Sequence, residues 1–472
     1  MQDNLFKENR FMSINSFDNY PMSWKPVIKN TNKPIYIYLA DRLEEDIRTG
    51  NLTPGTKLPP QRELADFLDI NLSTVSRAFK LCEQRGLICS AVGNGTYVAS
   101  DAAVNSMLFL NTNPKNMIEM GAILPNSEIN GLVSDYLQTM SNEPDFYKLL
   151  QYGTIDYDDL TIKAAKKWLS YFSMSGSKSN ILLTSGSQNA IFSTLASLFQ
   201  IGDRIATMPV TYPGIKIAAK ILGIQLVPIH TDNGIITRDS LLYVYKNQGI
   251  KGLYLIPDFN NPTSEVIYVK TRKTVASFCD EMKIPVIEDA IYTLFDPNPL
   301  PPISSYTEKQ GIFISSVSKT LAPGLRLAVM RAPSQYVKTI WECLYGMQIS
   351  PPALMVQLFT RLIISGRFEE IRKLRMEDVE KRNKIFDRYF NDYPNSGNKY
   401  SPIRWIYLPN HMDVAKFENT ALQNGVQIYS AERFTVGSTK IPNAIRVSLI
   451  SAQPIERYEK GLEILKTLLS ER

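Results

Sequence analysis

The chain has 472 residues, of which 44% are hydrophobic and 21% charged, with a formal net charge of +6. It is too long for one ordinary core at roughly 150 residues per domain, and it lacks the run of about 18 apolar residues that a membrane span needs. Four scattered cysteines without CxxC spacing and two histidines argue against a disulfide framework, a metal site or His-based catalysis, so the chemistry must come from Lys, Asp, Tyr or a borrowed cofactor.

Residues 1–32 are polar and Asn-rich without an apolar h-region, which predicts a cytoplasmic protein. From Pro34, Tyr36, Leu39, Leu43 and Ile47 recur at helical spacing up to Thr49-Gly50. A turn at Pro54-Gly55 and the prolines Pro59-Pro60 precede a short helix whose Leu64, Phe67 and Leu68 face inward. After the tight connection Asp69-Ile70-Asn71, Ser73-Thr74 is expected to cap a third helix with Val75, Phe79 and Cys82 as its buried stripe. Ser73, Thr74, Ser76, Arg77 and Lys80 are left facing outward, the pattern of a helix-turn-helix entering a major groove. A hairpin around Gly93-Asn94-Gly95 then reads as a wing.

Residues 33–99 carry eight Lys or Arg and eight Asp or Glu, so the unit is neutral and a protein-binding three-helix module stays open. The acidic residues gather on the first helix, however, while Arg62, Arg77 and Lys80 lie where phosphates and base edges would be. The run Leu58 to Ala65, then Thr74 to Ala78 and Gly93 to Val98, resembles the winged helix-turn-helix of GntR-family regulators. That resemblance implies DNA contacts from Arg62, Ser73, Thr74, Arg77 and the wing tip Gly95, with Ser76 and Lys80 on the same face.

Residues 100–117 are polar and read as a linker. From Ile118 strand-like and helix-like segments alternate, which predicts an α/β domain with a mostly parallel sheet. Ile181-Leu182-Leu183-Thr184 runs into Ser185-Gly186-Ser187-Gln188, a strand, a glycine turn and a helix start whose free N–H groups suit an anion. Tyr212, Asn261-Pro262-Thr263 and Asp289 follow strand-like runs, at the mouths where open sheets bind ligands. Each has a plainer reading as rim packing or a capped turn. The strand-like Gly311 to Ile314 opens into Ser316-Val317-Ser318-Lys319, with Arg326 seven residues on. An amine whose pKa is lowered by burial and a neighbouring cation can form a Schiff base with an aldehyde, and the hydroxyls and Arg326 suit a phosphate.

In this order, Ser187, Gln188, Tyr212, Asn261, Asp289, Tyr292, Ser316, Ser318, Lys319 and Arg326 resemble the active site of fold-type I aminotransferases, which use pyridoxal 5'-phosphate. The resemblance implies an internal aldimine on Lys319, Asp289 at the pyridine nitrogen, and Asn261 and Tyr292 at the ring hydroxyl. It places Tyr212 on the ring face, and Ser187, Gln188, Ser316, Ser318 and Arg326 at the phosphate. Arg446 resembles the arginine that clasps a substrate α-carboxylate, with an ordinary edge-strand arginine as the alternative reading. Tyr152 is expected to reach a partner subunit's phosphate, although Tyr157, Thr161 and the pair Leu327-Ala328 depart from the family pattern.

A GntR-like head on an aminotransferase-like body is the arrangement of MocR (GabR-type) regulators. It implies a reading head at 33–99, a linker at 100–117, a large cofactor domain at 118–345 and a small α/β domain at 346–472. It further implies promoter DNA as partner, a head-to-tail, domain-swapped homodimer, and an amine or amino acid effector sensed through an external aldimine. A true aminotransferase with an attached head, or a sensor of the cofactor itself, are the alternative functions.

Overall fold

The computed structural model describes residues 22–28, 33–49, 51–53, 55–91, 95–99, 117–153, 156–231 and 234–470. Residues 100–116 of the linker expected at 100–117, Pro54 of the first turn, and Gly93 and Asn94 of the wing tip lie outside the described residues.

The head consists of α1 (Ile35–Arg48), α2 (Gln61–Leu68), α3 (Leu72–Gln84) and the hairpin β1 (Ile88–Ala91) and β2 (Gly95–Val98), paired antiparallel from Ile88↔Val98 to Ala91↔Gly95. Leu43, Ile47, Leu64, Val75, Phe79 and Cys82 make its core, as the helical spacing predicts, and Val98 of β2 packs with them. Trp24 joins that core and donates from Nε1 to Asp46 at 3.0 Å. The cap of α3 is Asn71, whose side chain accepts from the Ser73 amide at 2.8 Å, and not Ser73-Thr74. Asp69 turns the chain at φ +52° and ends α2 early enough for Asn71 to take the capping place. Phe67 and Leu68 are only half-buried.

The body begins with β3 (Ile118–Glu119), α4 (Gly131–Ser141) and α5 (Asp159–Ser170). Then come β4 (Ile181–Thr184), α6 (Ser187–Leu198), β5 (Arg204–Thr207), α7 (Pro213–Ile221), β6 (Gln225–Pro228) and α8 (Arg238–Gln248). The chain continues through β7 (Gly252–Leu255), α9 (Val269–Met282), β8 (Val286–Asp289), β9 (Gly311–Ser316), β10 (Ala328–Arg331) and α10 (Ser334–Gln348). Seven of these strands form one sheet in the order β4-β10-β9-β8-β7-β5-β6, parallel except for β10, which runs against both neighbours. Strands β7 and β8 are buried along their whole length, which is why they read as unbroken apolar runs until the charged pair Glu288-Asp289.

The rest comprises α11 (Ala353–Ile364), α12 (Arg367–Phe390), β11 (Asn395–Ser396), β12 (Ile403–Tyr407), α13 (Val414–Gln423), β13 (Val426–Gln427), β14 (Tyr429–Ser430), β15 (Ala444–Ser448) and α14 (Ile455–Ser470). A second sheet has the order β11-β12-β15-β14. Two boundaries differ from the expected ones. Strand β3 pairs with β13, and Ile118, Met120 and Ile123 pack in one core with α13, β15 and α14, so the start of the body belongs with the small domain. Conversely α11 and the first turns of α12 pack with α5 and Leu183 in the large domain's core. The 24-residue α12 runs through both cores, so no break in the chain marks where one ends.

Candidate functional site

The C-terminal ends of β4, β7, β8 and β9 converge, because parallel neighbours such as Leu255↔Glu288 and Asp289↔Ile314 are in register. Lys319, three residues past β9, donates from Nζ to the Ile123 carbonyl at 2.6 Å. Burial, with the Arg446 and Arg326 guanidinium groups nearby, lowers its pKa to about 8. Asp289 ends β8 at 1% exposure. Burial raises its carboxyl to about 7, against the opposing hydrogen bond that Oδ2 accepts from the Tyr254 hydroxyl at 2.8 Å. Oδ1 of Asp289 is buried without a partner.

At the turn from β4 into α6, Gly186 has φ +89°, and a Cβ there would stand 2.8 Å from Arg326 Nη2. Arg326, itself in the left-handed region at φ +45° and exposed, therefore lies across this glycine at the start of α6. Gln188 donates to the Gly214 carbonyl at 2.9 Å, and a Cβ on Gly214 would collide with the Tyr212 ring and Gln188 Oε1. Glycine is required there because the Tyr212 ring lies flush against the backbone. Oε1 of Gln188 and the hydroxyls of Ser318 and Thr320 are buried without partners, while Ser316 Oγ accepts from the Ser318 amide at 3.1 Å. One site thus gathers an anion-ready helix start, unsatisfied polar atoms, a buried carboxyl and a depressed amine.

Arg446 sits in β15 between β12 and β14, opposite Trp405 and Tyr429, so it is not on an edge strand. It is 4% exposed, donates from Nη1 to Asn261 Oδ1 at 2.8 Å and from Nη2 to the Gly121 carbonyl, and lies against the rings of Tyr429 and Phe434. Tyr292 is buried beside these groups, and burial pushes its hydroxyl far above the usual range. Tyr152 is 88% exposed and stands apart from this cluster. Among the described residues no group of His, Cys, Asp and Glu could hold a metal.

Several positioning residues escaped the sequence reading. Tyr254 looked like one more apolar strand residue, yet it orients Asp289. The fully buried Arg272 pairs with Asp258 and also donates to the carbonyls of Ile267 at 2.6 Å, Pro301 at 3.1 Å and Leu300 at 3.2 Å. Asp258 takes a further bond from Thr293 at 2.7 Å, so one buried pair braces both the Asn261 loop and the Tyr292 turn. No motif marks Arg272, since its partners are mostly backbone.

On the head, Arg62, Ser73, Arg77, Lys80 and Gly95 are exposed, while Thr74 is half-buried. Ser76 is partly covered because it donates to Gln61 Oε1 at 2.7 Å, tying α3 to α2. The Arg77 guanidinium rests 4.6 Å from the centre of the Tyr36 ring. Asp41 and Glu44 are spent on Arg85, at 2.8 and 3.0 Å. Among the described residues no ion pair reaches Arg62, Arg77 or Lys80, so a neutral unit still presents three exposed cations without an acidic partner.

Fold and site together define a winged helix-turn-helix head carried on a body of the pyridoxal-phosphate aminotransferase fold. Residues 36–98 match the bacterial regulatory proteins of the gntR family, and residues 122–464 match the aminotransferases of class I and II. The chain is 45% identical over 460 residues to the HTH-type transcriptional regulator YdeF of Bacillus subtilis (strain 168), covering 98% of this chain and 100% of that one. The chain belongs to the family of regulators in which a GntR-type head is fused to a fold-type I aminotransferase-like body, as in MocR and GabR. The fold is shared with an archaeal alanine:glyoxylate aminotransferase, at TM-score 0.70 and 21% identity over 78% of this chain and 93% of that one. It is shared too with LysN, the alpha-aminoadipate aminotransferase of Thermus thermophilus solved with N-(5'-phosphopyridoxyl)-L-leucine, at TM-score 0.65 and 22% identity over 75% and 92% of the two chains. No helix among the described residues is long and apolar enough to cross a membrane.

Proposed function

We propose that this DNA-binding regulator holds pyridoxal 5'-phosphate in its body and uses it to sense an amino acid or amine, changing its grip on promoter DNA. The observation that carries the reading is the pairing of Lys319, lowered to about 8, with Asp289, raised to about 7, in one buried cluster whose remaining polar atoms lack partners.

The residues fit the cofactor. Ser187, Gln188, Ser316, Ser318 and Arg326 would hold its phosphate around the start of α6, Asp289 its ring nitrogen, Asn261 and Tyr292 its ring hydroxyl, and Tyr212 its ring face. When bound, pyridoxal 5'-phosphate supplies an aldehyde that condenses with a primary amine, Lys319 or that of an effector, with loss of water. Lys319 holds its proton loosely enough to offer a free amine near neutral pH. Arg446, with two donors already aimed into the cluster, would take an effector carboxylate. Arg62, Ser73, Thr74, Ser76, Arg77, Lys80 and Gly95 would face the operator, and exposed Tyr152 would reach the partner's phosphate site in a head-to-tail homodimer.

Footprinting on the intergenic region beside the gene tests this, with cofactor and with each of a panel of amino acids and amines. The regulator protects a defined stretch and changes that protection with one of the panel. An enzyme with an accessory head would instead convert an amino acid and a keto acid at useful rates with no change in protection. A sensor of the cofactor would respond to pyridoxal 5'-phosphate with no amine added.

A further inference from the structure

Residues 117–125 follow directly on the stretch that joins head to body, and they are fastened to the small domain along their length. The Met117 carbonyl accepts from Arg457 at 2.8 Å, β3 pairs with β13, and the Met120 carbonyl accepts from the Ser448 amide at 2.7 Å. Glu119 Oε1 then accepts from the amides of Gly121 and Ala122, at 2.8 and 2.7 Å, and turns the chain. After this turn the Gly121 carbonyl meets Arg446, the Ala122 carbonyl meets Ser451 Oγ, and the Ile123 carbonyl meets Lys319 at 2.6 Å. Ser451 Oγ also accepts from the Leu124 amide at 3.0 Å.

Two cations, the buried Arg446 and the half-buried Lys319, are thus each held by a backbone carbonyl of one three-residue stretch, and among the described residues no carboxylate pairs with either. A neutral carbonyl is a weaker acceptor for a guanidinium than a carboxylate, whose charge-assisted bond is about twice as strong. A carboxylate arriving at Arg446 therefore outcompetes Gly121, whose carbonyl is left to find a new partner by moving.

We propose that residues 117–125 form a strap that occupies the effector carboxylate's place on Arg446 and transmits its displacement to the DNA-binding head. This rests on the reading that the body takes pyridoxal 5'-phosphate and an amino acid. Coupling requires a difference in free energy between strapped and released states, and the exchange of a carbonyl for a carboxylate on Arg446 provides one. No separate pathway across the body is needed, because the strap is continuous in sequence with the connection to the head.

Hydrogen exchange on the full-length protein tests it, with two probes that share ring and phosphate: pyridoxamine 5'-phosphate, and N-(5'-phosphopyridoxyl)-L-leucine, which adds a carboxylate. Both are expected to slow exchange at residues 185–190, and only the leucine adduct to speed the Gly121, Ala122 and Leu124 amides, by about tenfold. Slowing at 185–190 with unchanged strap amides, or equal acceleration by both probes, overturns the strap and leaves the cofactor reading standing. No slowing at 185–190 with either probe defeats the cofactor reading, and the strap with it. Ser451→Ala, which cuts the tether at Ala122 and Leu124, is expected to give the unloaded protein the DNA affinity of the adduct-loaded wild type, with Ser451→Thr restoring the difference. DNA affinity that does not move in Ser451→Ala overturns the link to the head.

Discussion

Asp289 and Lys319 are opposite in charge and opposite in shift, and both owe the shift chiefly to burial. For Asp289, with a folded pKa of about 7 against 3.8, the native state binds more protons between those values. Stability therefore falls as pH rises through that window, by up to about 4 kcal/mol in the cofactor-free protein. For Lys319, with about 8 against 10.5, the unfolded state binds more protons, so stability rises with pH between those values. Asp289→Asn is expected to melt with the wild type near pH 4 and above it at pH 8, measured without cofactor, while losing cofactor affinity. Equal melting temperatures at both pH values would show that the carboxyl titrates as an exposed one.

Turns decide the outcome at the scale of elements, since both binding faces depend on how a helix begins. Asn71 satisfies a free amide at the start of α3, and its loss to Ala is expected to cost about 1 kcal/mol and to weaken DNA binding by fraying the helix that bears Ser73 and Arg77. Chemical denaturation of the full chain, with a DNA titration, measures both. In the body, Gly186→Ala brings two penalties, a side chain at φ +89° and a Cβ 2.8 Å from Arg326 Nη2. Strain of about 1–3 kcal/mol and a displaced Arg326 follow, so the variant should release pyridoxal 5'-phosphate on dialysis while wild type retains it. Retention in Gly186→Ala would place the phosphate away from this turn.

Across the whole molecule, two kinds of cation matter for function: Arg77 and Lys80, exposed on the neutral head, and Arg446, buried in the body. Arg77→Ala and Lys80→Ala are each expected to reduce the salt dependence of DNA binding by about one unit of slope, whereas Arg446→Ala leaves that slope intact and abolishes the response to amino acids. Binding isotherms at several salt concentrations separate the two classes. An Arg446 variant that still responds would turn the effector search toward amines without a carboxylate.

The head was legible in sequence because its helices are short, amphipathic and punctuated by Pro, Gly and Asp, all local signals read at a spacing of three or four residues. The body's strand mouths were legible for a similar reason, since each of Ser187, Asp289 and Lys319 stands where an apolar run stops. Parallel register between neighbouring strands then brings Lys319 and Asp289 to the same end of the sheet. Other features depended on contacts that no local pattern marks: β3 joining β13, Arg272 bracing two loops through carbonyls, and the Gly121 and Ile123 carbonyls lying on Arg446 and Lys319. A backbone carbonyl has the same chemistry in every residue, so no side-chain pattern could reveal which ones the fold would bring to a buried cation.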